Sequence, residues 1–458
     1  MKGRGGGGGG GGPAGDAEEV LAQDAWLQPA RTEGEERAEE GEEREREAAP
    51  PRRVTLQRWK FVGSGSFGNV YEADMLDPAA PHQAPTRVAV KKVWKTYAED
   101  TTTRRQIDVH RLLRHANVVQ LLYFWQNTEL QTYGMIMEYM PTTCEHYWDT
   151  KGARTSADSG SLELRLLPPF LIKLWTFQLM RALAYLHDTC KPAVMHRDIK
   201  PENLLLVPAT HLVKLADFGT AKREDDESRT RGYVVTRYYR PPELLLGSRR
   251  RSRHVDLWSA AALLAGFLRG DVLWRGRDSA DQFEMIMATL GSPSADDIKA
   301  MFGPVQQPPV RPYCTSRRAK PLRSLLDSRT GGQKKTAQSL LAAMLQYDPS
   351  KRLAAADARR HAFFNELRHC SGTNPVTGEK LPVFIRQVDR RHEEVSSSGL
   401  TTPPAQSPAL HDEPAALSKE AGGGRAADRR RQKRRHLQRL LDRRHKDDKH
   451  GGRHDRKK

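Results

Sequence analysis

The stretch His196-Arg197-Asp198-Ile199-Lys200-Pro201-Glu202-Asn203 constrains this chain more than any other part of it. It has the form H-R-D-x-x-x-x-N, in which the aspartate orients a substrate hydroxyl and accepts its proton, and the asparagine ligates Mg²⁺. Lys200, two residues after Asp198, has the spacing of a lysine that steadies a phosphoryl group in transfer. A charged surface turn is the competing reading, and it is a poor one for a match of this length.

Other segments complete the same chemistry. Gly63-Ser64-Gly65-Ser66-Phe67-Gly68-Asn69-Val70 has the form G-x-G-x-x-G-x-V, whose glycines let backbone amides close over phosphates. Alone it reads equally well as a glycine-rich turn. Val88-Ala89-Val90-Lys91 ends an apolar strand on a lysine suited to the α and β phosphates; Lys92 is the alternative, and strand alternation from Ala89 favours Lys91. Asp217-Phe218-Gly219 follows the apolar strand Leu212 to Ala216 and supplies a second Mg²⁺ ligand. Phosphoryl transfer needs metal ligands, a base, a lysine and a phosphate cover, and all occur here in order. Pro241-Pro242-Glu243 closes the segment after them, with Arg352 expected as the buried partner of Glu243.

The surroundings of these motifs divide the chain. Residues 1–52 hold a polyglycine run and Glu/Arg-rich sequence with too few apolar residues for a core, and are expected to be disordered. Strand-like stretches at Gly63 to Tyr71 and Arg87 to Val93, then a helical one at Thr103 to Leu113, predict a small β-rich lobe. Apolar residues at helical spacing in Phe170 to His187, Val255 to Phe267, Ala280 to Leu290 and Gln338 to Leu345 predict a larger helical one. The expected fold class is α+β and two-lobed. A domain over 53–367 is expected, with one lobe at 53–138, a hinge at 138–142 and the second lobe at 143–367. An extension covers 368–386, and a disordered Ser/Pro then basic tail covers 387–458. Much of the +18 net charge of this 458-residue chain sits in that tail.

Cys144, Cys190, Cys314 and Cys370 are scattered without C-x-x-C pairs or zinc-type His spacing, so neither a disulfide framework nor a metal centre is indicated. With no apolar core near the N-terminus, Lys2 where myristoylation needs glycine, and the run Ala260 to Leu268 too short to span a bilayer, the expectation is a protein of the cytoplasm, the nucleus or both, with no membrane partner.

With these motifs placed, the chain from about Trp59 to Val383 resembles the eukaryotic protein kinases. Within them it resembles a somewhat divergent member of the glycogen synthase kinase 3 branch of the CMGC group, through Tyr185-Leu186-His187, His196 to Leu206, Leu215 to Lys222, Tyr233 to Leu246 and Phe363 to Leu367. The resemblance implies a serine/threonine-protein kinase using ATP and Mg²⁺ on protein substrates. Asp198 is then the base, Lys200 steadies the γ-phosphate, Asn203 and Asp217 bind metal, and Lys91 holds ATP. Gly63, Gly65 and Gly68 cover the phosphates; Val62, Val70, Ala89 and Leu205 wall the nucleotide pocket, Glu138 and Met140 offer backbone groups to adenine, and Met137 is the gatekeeper. Arg105, Arg197 and Lys222 match basic residues that bind a phosphate already present on the substrate. Tyr233 matches an activation-loop tyrosine that such enzymes phosphorylate on themselves.

Some positions depart from the family pattern. Gln106 stands where a helix glutamate pairs with the strand lysine, so that pair lacks one charge; Glu99 and Asp108 are the nearby acids, and helical geometry points Asp108 elsewhere. Glu284 and the Pro-rich loop Gly303 to Tyr313 differ from the face that docks partner helices in the relatives. No serine precedes Ser64 to act as a phosphorylated pseudosubstrate, and Arg249, Arg250, Arg251 and Arg253 form a basic cluster. A proline-directed enzyme like the cyclin-dependent or mitogen-activated kinases, a kinase-fold docking scaffold, and a nucleic-acid binder acting through Arg429 to Lys458 are the other readings. That tail reads equally as a nuclear-import signal or solvated chain.

Overall fold

The computed structural model describes residues 18–24, 52–65, 68–76, 84–93, 101–127, 132–156, 163–226, 236–250, 252–303 and 334–368. The chain divides into two units, 1–398 and 399–458, and every described residue belongs to the first. Ser66, Phe67, Glu99, Tyr233, Arg251, the loop beyond Gly303 and the basic tail lie outside the described residues.

The smaller lobe is a closed barrel of antiparallel strands in the order β1-β2-β3-β4-β6-β5, formed by β1 (Glu18–Asp24), β2 (Arg52–Gly65), β3 (Gly68–Leu76), β4 (Thr86–Val93), β5 (Leu121–Asn127) and β6 (Thr132–Glu138). In β4 the two-residue period sorts the side chains. Val88 and Val90 are fully buried with Val54, Leu56, Trp125 and Ile136, and Lys92 on that same face lays its ammonium 4.2 Å over the Trp59 ring. Ala89 and Lys91 face the other way, toward the second lobe. The β2–β3 hairpin pairs Gly63 with Val70 and Gly65 with Gly68, and a Cβ on Gly68 would run into the Lys92 carbonyl of the next strand.

Within residues 1–52, most of which lie outside the described residues, the structure describes the strand β1. Glu18–Asp24 pairs with Arg52 to Leu56 of β2 and with Tyr123 and Phe124 of β5. Both partners would otherwise present unpaired N–H and C=O groups at a sheet edge, and a short strand with little apolar content is enough to cover them.

Helix α1 (Thr101–His110) packs beside the barrel with Thr103, Gln106, Ile107 and His110 buried, the i, i+3, i+4, i+7 face, while Arg104 and Asp108 are exposed. The second lobe is built on α3 (Pro169–Ala184) and α5 (His254–Arg269), both buried along almost their whole length, as helices apolar all round must be. Around them lie α2 (Cys144–Lys151), α4 (Pro242–Leu245), α6 (Ser279–Leu290), α7 (Ala295–Phe302), α8 (Lys334–Met344), α9 (Ala355–Arg360) and α10 (Asn365–Arg368). Side-chain caps start these helices where the sequence offers them: Thr143 accepts from the His146 amide, Asp278 from that of Asp281, and Ser294 forms a capping box with Asp297. No described helix is long and apolar enough to cross a membrane.

The lobes meet through directed contacts. Val118 bridges to Leu215, the Asn117 amide nitrogen donates to Gln178 Oε1 (3.1 Å) and to the Val213 carbonyl (2.9 Å), and the His115 ring stacks on Tyr185 at 5.0 Å. This fixes the base of α1 relative to the second lobe.

Candidate active site

The residues from His196 to Asn203 lie between the short strands β7 (Val194–Met195) and β8 (Leu204–Val207); β8 pairs with β9 (Leu212–Leu215) and β7 with β10 (Lys222–Arg223). What holds this loop is Asp256, a fully buried carboxylate at the start of α5. Its Oδ2 accepts from the His196 amide at 2.9 Å and lies 2.9 Å from His187 Nε2, while its Oδ1 accepts from the Arg197 amide at 2.7 Å. Burial opposes its ionisation, yet the hydrogen bond with His187, helped by the nearby His196 and the Arg197 amide, keeps its carboxyl below the ordinary range. Arg197 accordingly turns through φ 71°, a left-handed conformation that a free loop would avoid.

Asp198 is 7% exposed and both its carboxylate oxygens are engaged. Oδ2 accepts from Lys200 Nζ at 2.8 Å and from Asn203 Nδ2 at 3.1 Å; Oδ1 accepts from the Thr236 amide at 3.1 Å and the Thr236 hydroxyl at 2.8 Å. Asn203 Nδ2 also donates to the Asp198 carbonyl at 2.8 Å. Burial works against the Lys200 charge, but Asp198 first, then Glu202 and Asp217, raise its pKa above the ordinary value.

Asp217 sits at φ 58° where β9 (Leu212–Leu215) turns into the next segment, and its Oδ1 accepts from Lys91 Nζ at 2.8 Å. Desolvation alone would raise its pKa, but the charge and hydrogen bond of Lys91, helped by His196 and the Gly219 amide, bring it down to about 2. The neighbouring Phe218 is fully buried between the rings of His110 (4.8 Å) and His196 (5.0 Å). Asn203 and Asp217 bring hard oxygen donors to the same turn region as Asp198, a donor set that suits Mg²⁺ held jointly with substrate phosphates.

Beside this lies an apolar surface in which Val119, Met140 and Ala216 are buried and Met137, Leu205 and Val207 pack on them half-buried. Val70 and Ala89 are half-buried and Val62 is 59% exposed on the strand before the glycine hairpin. Glu138 is braced by its side chain: both oxygens accept from Lys214 Nζ at 2.7 Å, and Oε1 accepts from the Gln120 amide at 2.7 Å. Glu243 and Arg352 form a bidentate pair at 2.7 Å through each nitrogen, with the guanidinium 5.0 Å over the Trp258 ring, as the sequence predicted for a structural pair.

Lys91, Asp198, Lys200, Asn203 and Asp217 thus come together from strands and turns far apart in the chain. Arg105 and Lys222 meet as well, but on an acid: Arg105 Nε lies 3.0 Å and Lys222 Nζ 3.7 Å from Asp226 Oδ2. Gln106 is 4% exposed on the inward face of α1, and Asp108 points outward beside Arg111, as expected from helical geometry.

A β-rich lobe and a helical lobe with this loop and this acid–lysine pair define a phosphotransferase of the kinase fold. The sequence model of the protein kinase domain matches residues 56–364, and the chain belongs to the protein kinase family, whose members use ATP and Mg²⁺ and act on proteins.

Thr236, Asp256 and Asp226 belong to no motif in the sequence. Thr236 was visible only as the residue after Val234-Val235, while Asp256 was the lone acid opening an apolar helix. Asp226 belongs to the acidic run Glu224-Asp225-Asp226 directly after Lys222.

Proposed function

We propose that the chain is a protein serine/threonine kinase of the glycogen synthase kinase 3 type, transferring the γ-phosphate of ATP to Ser or Thr and favouring substrates that already carry a phosphate. The observation that carries this reading is the four-way engagement of Asp198 by Lys200, Asn203 and the amide and hydroxyl of Thr236. A carboxylate so held is fixed in orientation, which is what a residue that receives a hydroxyl proton requires.

Lys200, beside Asp198, offers its ammonium to the transferred phosphoryl group. Lys91 positions the α and β phosphates under the hairpin of Gly63, Gly65 and Gly68. Val62, Val70, Ala89 and Leu205 enclose the adenine. The Glu138 amide donates to the Gln120 carbonyl at 3.1 Å, so its carbonyl, with the Met140 backbone, is the group offered to the base. Asn203 and Asp217 are the residues that hold Mg²⁺, which when bound neutralises the charge of the β and γ phosphates. Arg105, Arg197 and Lys222 receive the substrate's existing phosphate, and Tyr233 is a site of self-phosphorylation. The enzyme acts in the cytoplasm, the nucleus or both, and Arg429 to Lys458 is the segment open to nucleic acid.

The test is a radiolabel transfer assay with Mg²⁺/ATP and peptide pairs that differ only in a phosphoserine C-terminal to the target. Transfer that prefers the phosphorylated member, is lost in Asp198→Asn and loses its preference in Arg105→Ala supports the reading. A preference for Ser/Thr-Pro regardless of phosphate supports the proline-directed alternative.

A second reading rests on Gln106. With a neutral amide buried where a carboxylate would hold Lys91, the chain serves as a weakly active docking scaffold. ATP binding without measurable transfer is the result that selects it.

A further inference from the structure

Lys222 is buried to 1% side-chain exposure and Arg105 to 23%, and both direct their cationic atoms at one oxygen, Oδ2 of Asp226. Cations so far removed from water need an anion at hand. Asp226 provides one from the segment that follows β10, four residues after Lys222. Beside the pair, a cleft of about 480 Å³ is lined by Arg104, Arg105, Asp108, Arg223, Asp225 and Asp226.

We infer that Asp226 is an internal competitor for the substrate's existing phosphate. Its carboxylate holds the Arg105–Lys222 site, and a phosphorylated substrate binds by displacing it. This rests on the reading of Arg105, Arg197 and Lys222 as the phosphate pocket. A phosphoserine carries about −1.5 to −2 charge and three acceptor oxygens against one charge for Asp226, so it wins on contact. Asp226, tethered beside the site, wins on local concentration. The cleft gives the displaced carboxylate somewhere to go, since Arg104 lines the same space, where Arg223 already pairs with Asp225 at 3.1 Å. Asp226 thereby sets how strongly the enzyme discriminates phosphorylated from unphosphorylated substrates.

The energetic consequence is a tax on phosphopeptide affinity. If Asp226 holds the site nine-tenths of the time, the apparent Kd rises about tenfold. The full chain, in wild-type, Asp226→Asn, Asp226→Ser, Arg105→Ala and Arg105→Ala/Asp226→Asn forms, is titrated with a fluorescent phosphoserine peptide and its unphosphorylated twin, read by anisotropy. Asp226→Asn and Asp226→Ser are expected to tighten the phosphopeptide about three- to tenfold and leave the twin unchanged, and Arg105→Ala in the double variant to cancel the gain. If both Asp226 variants bind the phosphopeptide no better than wild type while Arg105→Ala still weakens it, the pocket stands and the competitor is overturned. If Arg105→Ala alters phosphopeptide affinity in no background, the pocket reading fails and takes the inference with it.

Discussion

Lys91 Nζ lies 2.8 Å from Asp217 Oδ1, although 126 residues separate them in the chain. One contact therefore ties β4 of the small lobe to the turn that presents Asp217, and the same lysine holds that carboxyl down to about 2. Charge-assisted contacts of this kind contribute about 1.5–3 kcal/mol, so Lys91→Met is expected to lower kcat/KM for ATP by roughly tenfold to a hundredfold or more. The Asp217 side chain is 43% exposed, so solvent screens the pair and the melting temperature should move little. A variant with unchanged ATP kinetics would remove Lys91 from the site.

Thr236 gives Asp198 both its amide and its hydroxyl, at 3.1 Å and 2.8 Å. Thr236→Val keeps shape and amide but removes the hydroxyl, and should reduce kcat about tenfold or more while the KM for ATP stays close to wild type. Thr236→Ser should retain most of the rate. Equal losses in the Val and Ser variants would show that the methyl packing, not the hydroxyl, is what matters.

Why the sequence showed some of this site and not the rest follows from how each residue is fixed. Asp198, Lys200 and Asn203 are neighbours in one turn whose spacing is itself the geometry, so the motif is readable. The β4 lysine was readable because strand alternation separates Lys91 from Lys92 by face. Asp256 and Thr236 act across 60 and 38 residues respectively, through contacts that no local periodicity encodes. Asp226 was hidden for another reason: charge alone cannot tell a solvated acid from one that closes on a buried lysine and a half-buried arginine. Strand β1 was missed because what calls for it is the unpaired backbone of β2 and β5, not a pattern within Glu18–Asp24.

His110 gives the fold a pH dependence with a definite sign. It is 1% exposed, its Nε2 lies 2.7 Å from the Val119 carbonyl, and Nδ1 has no hydrogen-bond partner among the described residues. Desolvation first, then the nearby Lys91 charge, lowers its pKa to about 4 against the opposing effect of the carbonyl. Between about 6.5 and 4 the unfolded chain binds a proton that the folded chain refuses. This stabilisation is therefore complete above pH 6.5 and lost as pH falls toward 4, about 2 kcal/mol of it by pH 5. His115, lowered to about 3 chiefly by desolvation, acts with the same sign. Denaturant midpoints at pH 7 and pH 5 should show a smaller drop for His110→Leu than for wild type; equal drops would mean other groups govern the acid limb.

Glu243 and Arg352 form a bidentate pair at 2% and 0% side-chain exposure. Replacing the acid alone strands the guanidinium over Trp258, so Glu243→Ala should cost about 3–5 kcal/mol in chemical denaturation. The double variant Glu243→Ala/Arg352→Met should recover part of that loss, since it leaves no buried charge behind. Additive losses in the double variant would argue that the pair is not energetically coupled.

The residue at position 106 offers a direct test of the weakly active reading. It lies on the buried face of α1 with Thr103, Ile107 and His110, and His110 on that face packs on Phe218, the neighbour of the Asp217 that Lys91 contacts. Asp108 cannot substitute, because it is exposed and lies 3.8 Å from Arg111 on the opposite side of the helix. A carboxylate on the inward face would add the second charge of an ion pair with Lys91, so Gln106→Glu should lower the KM for ATP by about three- to tenfold. If the new carboxylate reaches Lys91, the melting temperature should hold or rise. A fall in melting temperature with unchanged ATP kinetics would mean that the charge is buried without a partner, and that the position at 106 no longer governs the lysine in this chain.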